Sequence, residues 1–235
     1  MYLKRMMNKT VGGFNSATLN DSTFKQNVTR FHECAKGLDK LTSLILGLET
    51  AMNNMSEASL KCCTAQENLL NCHPAHAKIK DFSTERGRLV ADSKAEMVKI
   101  QGRLSQGVRG PLEASLGKVK KMETRLKERQ KLRDDYTYYK GKIAKLEDNK
   151  KAKLSKGEVI SQVFTEKLDR NEKKMKDSKT RFEDCTAKLE EDLKDFLIGY
   201  PDEIHAIATE ALAIQGHYYT TFSGHFVAMR QSLAT

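Results

Sequence analysis

Apolar residues recur at three-to-four spacing in long runs along this chain, and only three prolines are available to break them. The first run passes through Phe24, Val28, Phe31, Ala35, Leu38, Leu41, Ile45, Leu48, Met52 and Met55, widened by Leu44, Leu60, Leu69 and Leu70. This is the period of an α-helix that is apolar over more than one stripe, so it is expected to touch two neighbours. Asn20, Asp21 and Ser22 supply cap chemistry at its start, and His73-Pro74 ends it, because a residue before proline disfavours the α region. A second run of about 75 residues, roughly 110 Å if straight, extends from Pro74 to Asn149. Gly107, Gly110 and Pro111 predict a kink within it. Beyond that point Val119, Met122, Leu126, Arg133, Tyr136, Lys140 and Ile143 form a partly polar seam, and 148–157 reads as a turn. The third run is Ile160, Phe164, Leu168, Asn171, Met175, Ser178, Phe182, Cys185, Leu189, Leu193 and Phe196. Gly199 and Pro201 are expected to break it. Pro201, Asp202 and Glu203 then open a last helix carrying Ile204, Ile207, Ala211, Ile214, Tyr218, Phe222 and Phe226.

Composition decides how such helices pack. Only 39% of the 235 residues are hydrophobic and there is no Trp, which is thin for a compact globule. Narrow seams need less, so the expected fold class is all-α, an elongated antiparallel three-helix coiled coil with kinked long helices. Its ends near 24–70 and 200–230 are apolar and would be exposed in a single chain. Pairing two chains there as a homodimer buries them and sends the remaining arms outward.

Those arms are where the positive charge lies. Between Lys118 and Arg181 there are 22 Lys+Arg against 11 Asp+Glu, a net of +11, while the whole chain is +10. The remainder therefore sums to −1, and from Glu183 onward nine acids face three bases. The cations flank the predicted turn as Lys150, Lys151, Lys153 and Lys156, and precede it as Arg125, Lys127, Arg129, Lys131 and Arg133. Residues spaced by two point to different sides of a helix, so about half of this second group is expected to face outward. The rest would be solvated or pair with Glu123 and Glu128.

Residues 1–22 form a separate segment before a domain spanning 23–235. On a helical wheel Leu3, Met6, Met7, Thr10, Val11 and Phe14 share one side, with Lys4, Arg5, Asn8 and Lys9 opposite. Gly12-Gly13 limits the helix to a length that is marginal in water. An interface that accepts the apolar side and attracts the cations would induce it, as for a helix lying in a membrane surface. Val11-Gly-Gly-Phe-Asn-Ser-Ala-Thr-Leu-Asn-Asp-Ser-Thr-Phe-Lys resembles the junction leading into the first helix of endophilins. Gly110-Pro-Leu resembles the Pro-Leu of that family's second helix. Lys127-Glu-Arg-Gln-Lys-Leu-Arg-Asp-Asp-Tyr resembles its basic run, with one extra residue before Tyr136 and Thr137 where an acid is usual. Gln215-Gly-His-Tyr-Tyr resembles the Gln-x-x-Tyr of its third helix.

In order and spacing the chain thus resembles BAR domains of the amphiphysin and endophilin (N-BAR) type. The resemblance implies a crescent-shaped homodimer whose positive concave face and tips sit on anionic phospholipid membranes, phosphoinositides among them, in endocytosis or vesicle and tubule trafficking. Leu3, Lys4, Arg5, Met7, Lys9, Val11 and Phe14 would enter the bilayer interface. The expected setting is the cytosolic face of a membrane, with endocytic protein partners unnamed. Five cysteines, with no signal-peptide pattern ahead of them, read as reduced thiols. The stretch 211–229 lacks formal charge but holds too many polar groups to span lipid.

Other readings remain. A nucleic-acid binder could use the basic arm, with Tyr136, Tyr138 and Tyr139 stacking on bases. A cytoskeletal coiled-coil linker would keep the dimer without needing the N-terminal segment. Cys62, Cys63, Cys72, His73 and His76 could suggest zinc, but they lack a paired C-x-x-C signature. No phosphate loop or nucleophile–base pair is visible, so neither catalysis nor any metal or cofactor is expected.

Overall fold

A computed structural model describes residues 21–72 and 78–234. The elements are α1 (Asp21–Asn71), α2 (Lys78–Arg103), a π-helical stretch (Leu104–Arg109), α3 (Gly110–Ser155) and α4 (Gln162–Ala234). With α2, the π stretch and α3 following one another directly, the chain forms three long helices, and no strand occurs among the described residues. Leu3, Lys4, Arg5, Met7, Lys9, Val11 and Phe14 lie outside those residues, as do His73 and His76.

The three glycine and proline sites behave differently. At the first, the interruption is a π turn: the Gly110 N–H bonds to the Ser105 carbonyl five residues back. The wider turn accommodates Pro111, which has no N–H to donate. Gly107 lies here too, and a Cβ on it would come within 2.7 Å of Glu210 Cγ. At the second, the expected break is absent, and α4 continues through Pro201. Losing one helical bond costs about 3 kcal/mol. That is small beside the burial of Leu189 and Leu193 before it and Ile207 and Ile214 after it. At the third, α3 runs on to Ser155, so the turn is the shorter stretch 156–161 rather than 148–157.

The chain divides into two compact units, one of Met1–Glu33 with Arg125–Leu197, the other of Cys34–Thr124 with Ile198–Thr235. In the second unit α1 and α4 run parallel at a fixed offset. The Tyr200 hydroxyl donates to the Cys34 carbonyl (3.3 Å) and the Tyr218 hydroxyl to the Met52 carbonyl (3.0 Å), each pair 166 residues apart. The Cys63 thiol meets Met229 Sδ at 3.8 Å with the same separation of 166. Burial pushes both phenols and the Cys63 thiol above their ordinary pKa ranges.

The α2 helix runs the other way between them. Gln101 bonds Asn53 (3.3 Å) and Arg86 pairs with Glu67 (2.5 Å) on α1. On the other side Arg103 pairs with Glu210 (2.9 Å) and Glu96 with His217 on α4. The hydrogen bond from His217, with help from Lys99, holds the Glu96 carboxyl below its usual range. Near the start of α3, Ser115 (2.5 Å) and Lys118 (2.9 Å) both reach Glu203. Apolar layers fill the rest, including Leu38, Ile100, Leu104, Val108, Leu112, Ile214 and Tyr218.

In the first unit Phe31 and Phe196 meet edge to face at 5.4 Å, and Leu189 and Leu193 are fully buried. Farther along, α3 and α4 pack on each other, with Ile143, Leu146 and Leu168 buried and Phe164 and Met175 packed against them.

Two stability measurements follow from the second unit. Tyr218→Phe deletes the only polar atom of a fully buried side chain and its bond, so urea unfolding should show a loss of about 1 kcal/mol. Burial opposes ionisation of Glu203, yet the Ser115 hydroxyl and Lys118 ammonium hold its carboxyl below the usual range. A depressed folded pKa stabilises above the unfolded value, near 4.3, and the contribution disappears as pH falls through the folded value. Thermal melts of Glu203→Gln should therefore lie below those of the parent at neutral pH and converge with them toward pH 3.

Candidate functional site

The basic stretch is built on a helical hairpin whose end is closed by two capping arrangements. Gly157 has φ +73°, which a glycine adopts without strain. Its N–H bonds to Leu154 O (3.0 Å) and the Glu158 N–H to Lys153 O (3.0 Å), the two bonds of a Schellman ending. The Lys153 and Glu158 side chains, 3.8 Å apart, stand where that ending often carries an apolar contact. On the return, Ser161 is the N-cap of α4: its Oγ accepts the Phe164 N–H at 3.3 Å.

These caps place the four turn lysines. Lys150, Lys151 and Lys153 stand on the last turns of α3 rather than in the loop, and Lys156 begins the loop. Lys151, Lys153 and Lys156 are exposed and Lys150 is half-buried. The loop itself is apolar at its centre, with Val159 almost fully open to solvent, a feature that charge counting does not reveal.

The five arm residues separate. Lys127 and Lys131, one helical turn apart on α3, are exposed, as is Lys145 farther along, while Lys142 is half-buried. Arg133 is half-buried. Arg125 faces the seam and pairs with Asp192 of α4, not with Glu123 or Glu128. Arg129 departs furthest from expectation: it is only 7% exposed. Its guanidinium lies 4.0 Å from the Phe24 ring centre and 4.8 Å from that of Phe182, and its Nε–H donates to Thr186 Oγ1 at 2.9 Å. An arginine here is a core residue of the first unit, stacked between two rings. Its place in the seam was readable from spacing, since Met122, Arg129, Leu132, Tyr136 and Ile143 advance by three, four and seven.

The returning helix adds further cations of the basic stretch. Lys167, Arg170, Lys174 and Arg181 share one stripe of α4, and all four are exposed. Lys174 also approaches the Tyr139 ring (5.8 Å) and Lys142 the Tyr138 ring (5.5 Å). Tyr136 stacks on Phe182 at 6.4 Å, so it serves the seam. Among the described residues no three His, Cys, Asp or Glu side chains are placed to hold a metal ion, and no helix is long and apolar enough to cross a membrane.

No family model and no curated protein matches this sequence. Among solved structures, the chain is similar to a BAR protein from Galdieria sulphuraria, with a TM-score of 0.55 and 15% identity over 94% of this chain and 100% of that one. The likeness is one of fold: three long helices in a BAR-like arrangement.

The contrast between Arg129 and its neighbours is directly measurable. Arg129→Ala removes a stacked, hydrogen-bonded side chain and should cost about 3 kcal/mol of unfolding free energy. Lys131→Ala should change it by less than about 0.5 kcal/mol, both read by chemical denaturation.

Proposed function

We propose that this chain is a non-enzymatic membrane-binding protein of the N-BAR type, which senses, generates or stabilises curvature as a crescent-shaped homodimer. The observation that carries the reading is the exposed basic surface of the capped hairpin, on both α3 and α4, in a chain whose remaining residues sum to −1. Each Lys or Arg near an anionic leaflet contributes about 1 kcal/mol, so the hairpin is suited to adhesion without any sequence-reading module. The BAR-like fold supports the same reading, and so do the residues that one chain leaves uncovered. Leu44, Leu46, Leu212, Phe226 and Val227 of the second unit are exposed apolar side chains that a second copy would cover.

The tip set is Lys150, Lys151, Lys153 and Lys156, with Lys127, Lys131 and Arg133 along the arm. Arg129 and Arg125 act within the fold. Residues 1–22 supply the amphipathic segment, through Leu3, Lys4, Arg5, Met7, Lys9, Val11 and Phe14. The setting is the cytosolic face of a membrane, in endocytosis or vesicle and tubule trafficking, with phosphoinositides among the anionic lipids bound. A homodimer joins two arms and two N-terminal segments into one multivalent surface, and adhesion is greatest where bilayer curvature fits it.

Vesicle sedimentation tests this. Binding should rise with anionic lipid content, vary with vesicle diameter and weaken about fivefold for each tip lysine changed to alanine. Sedimentation velocity should show a dimer. Equal binding to neutral and anionic vesicles would sink the reading, and tight binding of oligonucleotides with indifference to vesicles would favour a nucleic-acid protein instead.

A further inference from the structure

We propose that the end of the hairpin is an apolar wedge, in which Leu154, Val159 and Val163 enter the interfacial layer of an anionic bilayer. Their exposures are 56%, 91% and 72%. Leu154 ends α3, Val159 sits in the loop and Val163 opens α4, so the caps at Gly157 and Ser161 hold all three at one end of the hairpin.

Packing does not account for them. The hairpin's own core is Ile143, Leu146 and Leu168 with Phe164 and Met175, and it is complete without these side chains. Any polar residue would serve the loop equally well, and isolated surface valines are not usually gathered at one tip. The surrounding charge selects the occupant. Lys150, Lys151, Lys153 and Lys156 flank the patch, and the acid inside the loop, Glu158, lies against Lys153. An anionic headgroup layer over hydrocarbon complements that combination, cations outside and apolar groups inward. A second copy of the same tip would bring like charges together. A stable protein partner needs roughly 800 Å² on each side, well beyond three side chains, whereas a bilayer accepts single side chains additively.

The proposal rests on the membrane reading above and adds a second insertion point, remote in sequence from residues 1–22. The chain has no Trp, so Val159→Trp installs a single fluorescent reporter. With vesicles of phosphatidylserine and phosphatidylcholine, the emission of that lone indole should shift to the blue and be quenched by lipids brominated high on the acyl chain. Sedimentation run on the same samples separates the outcomes. Bound protein with emission unchanged from water overturns the wedge and leaves the membrane reading standing; absence of binding at every lipid charge ends both. A blue shift that grows with protein concentration in the absence of lipid assigns the patch to a second copy and overturns the wedge. The variant Leu154→Asn, Val159→Asn, Val163→Asn keeps every lysine. It should bind anionic vesicles about tenfold more weakly at high salt, where the apolar contribution dominates. Unchanged affinity, with helicity matching the parent by circular dichroism, rejects the proposal.

Discussion

Within the second unit, one register governs how the helices lie together. Tyr200 and Tyr218 are 18 residues apart, five full turns of an α-helix, so both hydroxyls project from the same side of α4. Each donates to a carbonyl of α1 166 positions earlier, and Cys63 with Met229 repeats the interval three turns on. A buried phenol without an acceptor is costly, so sliding either helix by a residue would strand both hydroxyls. The braces to α2 obey the same discipline. Glu96 with His217 and Arg103 with Glu210 are one heptad apart on both helices (96 to 103, 217 to 210), as antiparallel partners in a left-handed seam require.

The first unit solves a different problem, keeping a highly charged hairpin folded with little to bury. Its two-helix portion has a small core of five apolar side chains. The caps offset this by satisfying backbone groups at the turn, and Arg129 shows how a cation can serve as core when rings and a hydroxyl receive it. Exposed lysines on α3 and α4 add little to folding and are free to act outward. Arg125 and Arg129, at seam positions, are committed to the fold. The division between structural and available cations thus follows helix phase more than residue type.

Much of this was legible in the sequence. The helix period placed α1, its end before Pro74 and the interruption near Pro111, because apolar spacing and proline chemistry are local signals. The charge count located the basic hairpin without fixing which of its cations point outward. Pro201 looks like a break in the sequence because its local penalty is visible, whereas the burial that outweighs it on either side depends on distant partners. The turn is shorter than its composition suggests for a similar reason: lysines and an Asp-Asn pair look like loop, but a Gly157 ending lets α3 persist to Ser155. Val159 carries no signal in the sequence, since a lone valine acquires meaning only once its neighbours are known to be exposed.

The fixed interval between α1 and α4 also bears on how the chain assembles. Closing the hairpin brings together residues separated by the six-residue loop 156–161, while joining Met52 to Tyr218 spans 166. The loop-closure entropies of those two events differ by about 3 kcal/mol. On chain entropy alone, the charged hairpin is the cheaper contact to close, and the parallel pairing of the first and last helices the dearer one. The tyrosine register that makes the second unit specific therefore carries the larger share of the chain-ordering cost.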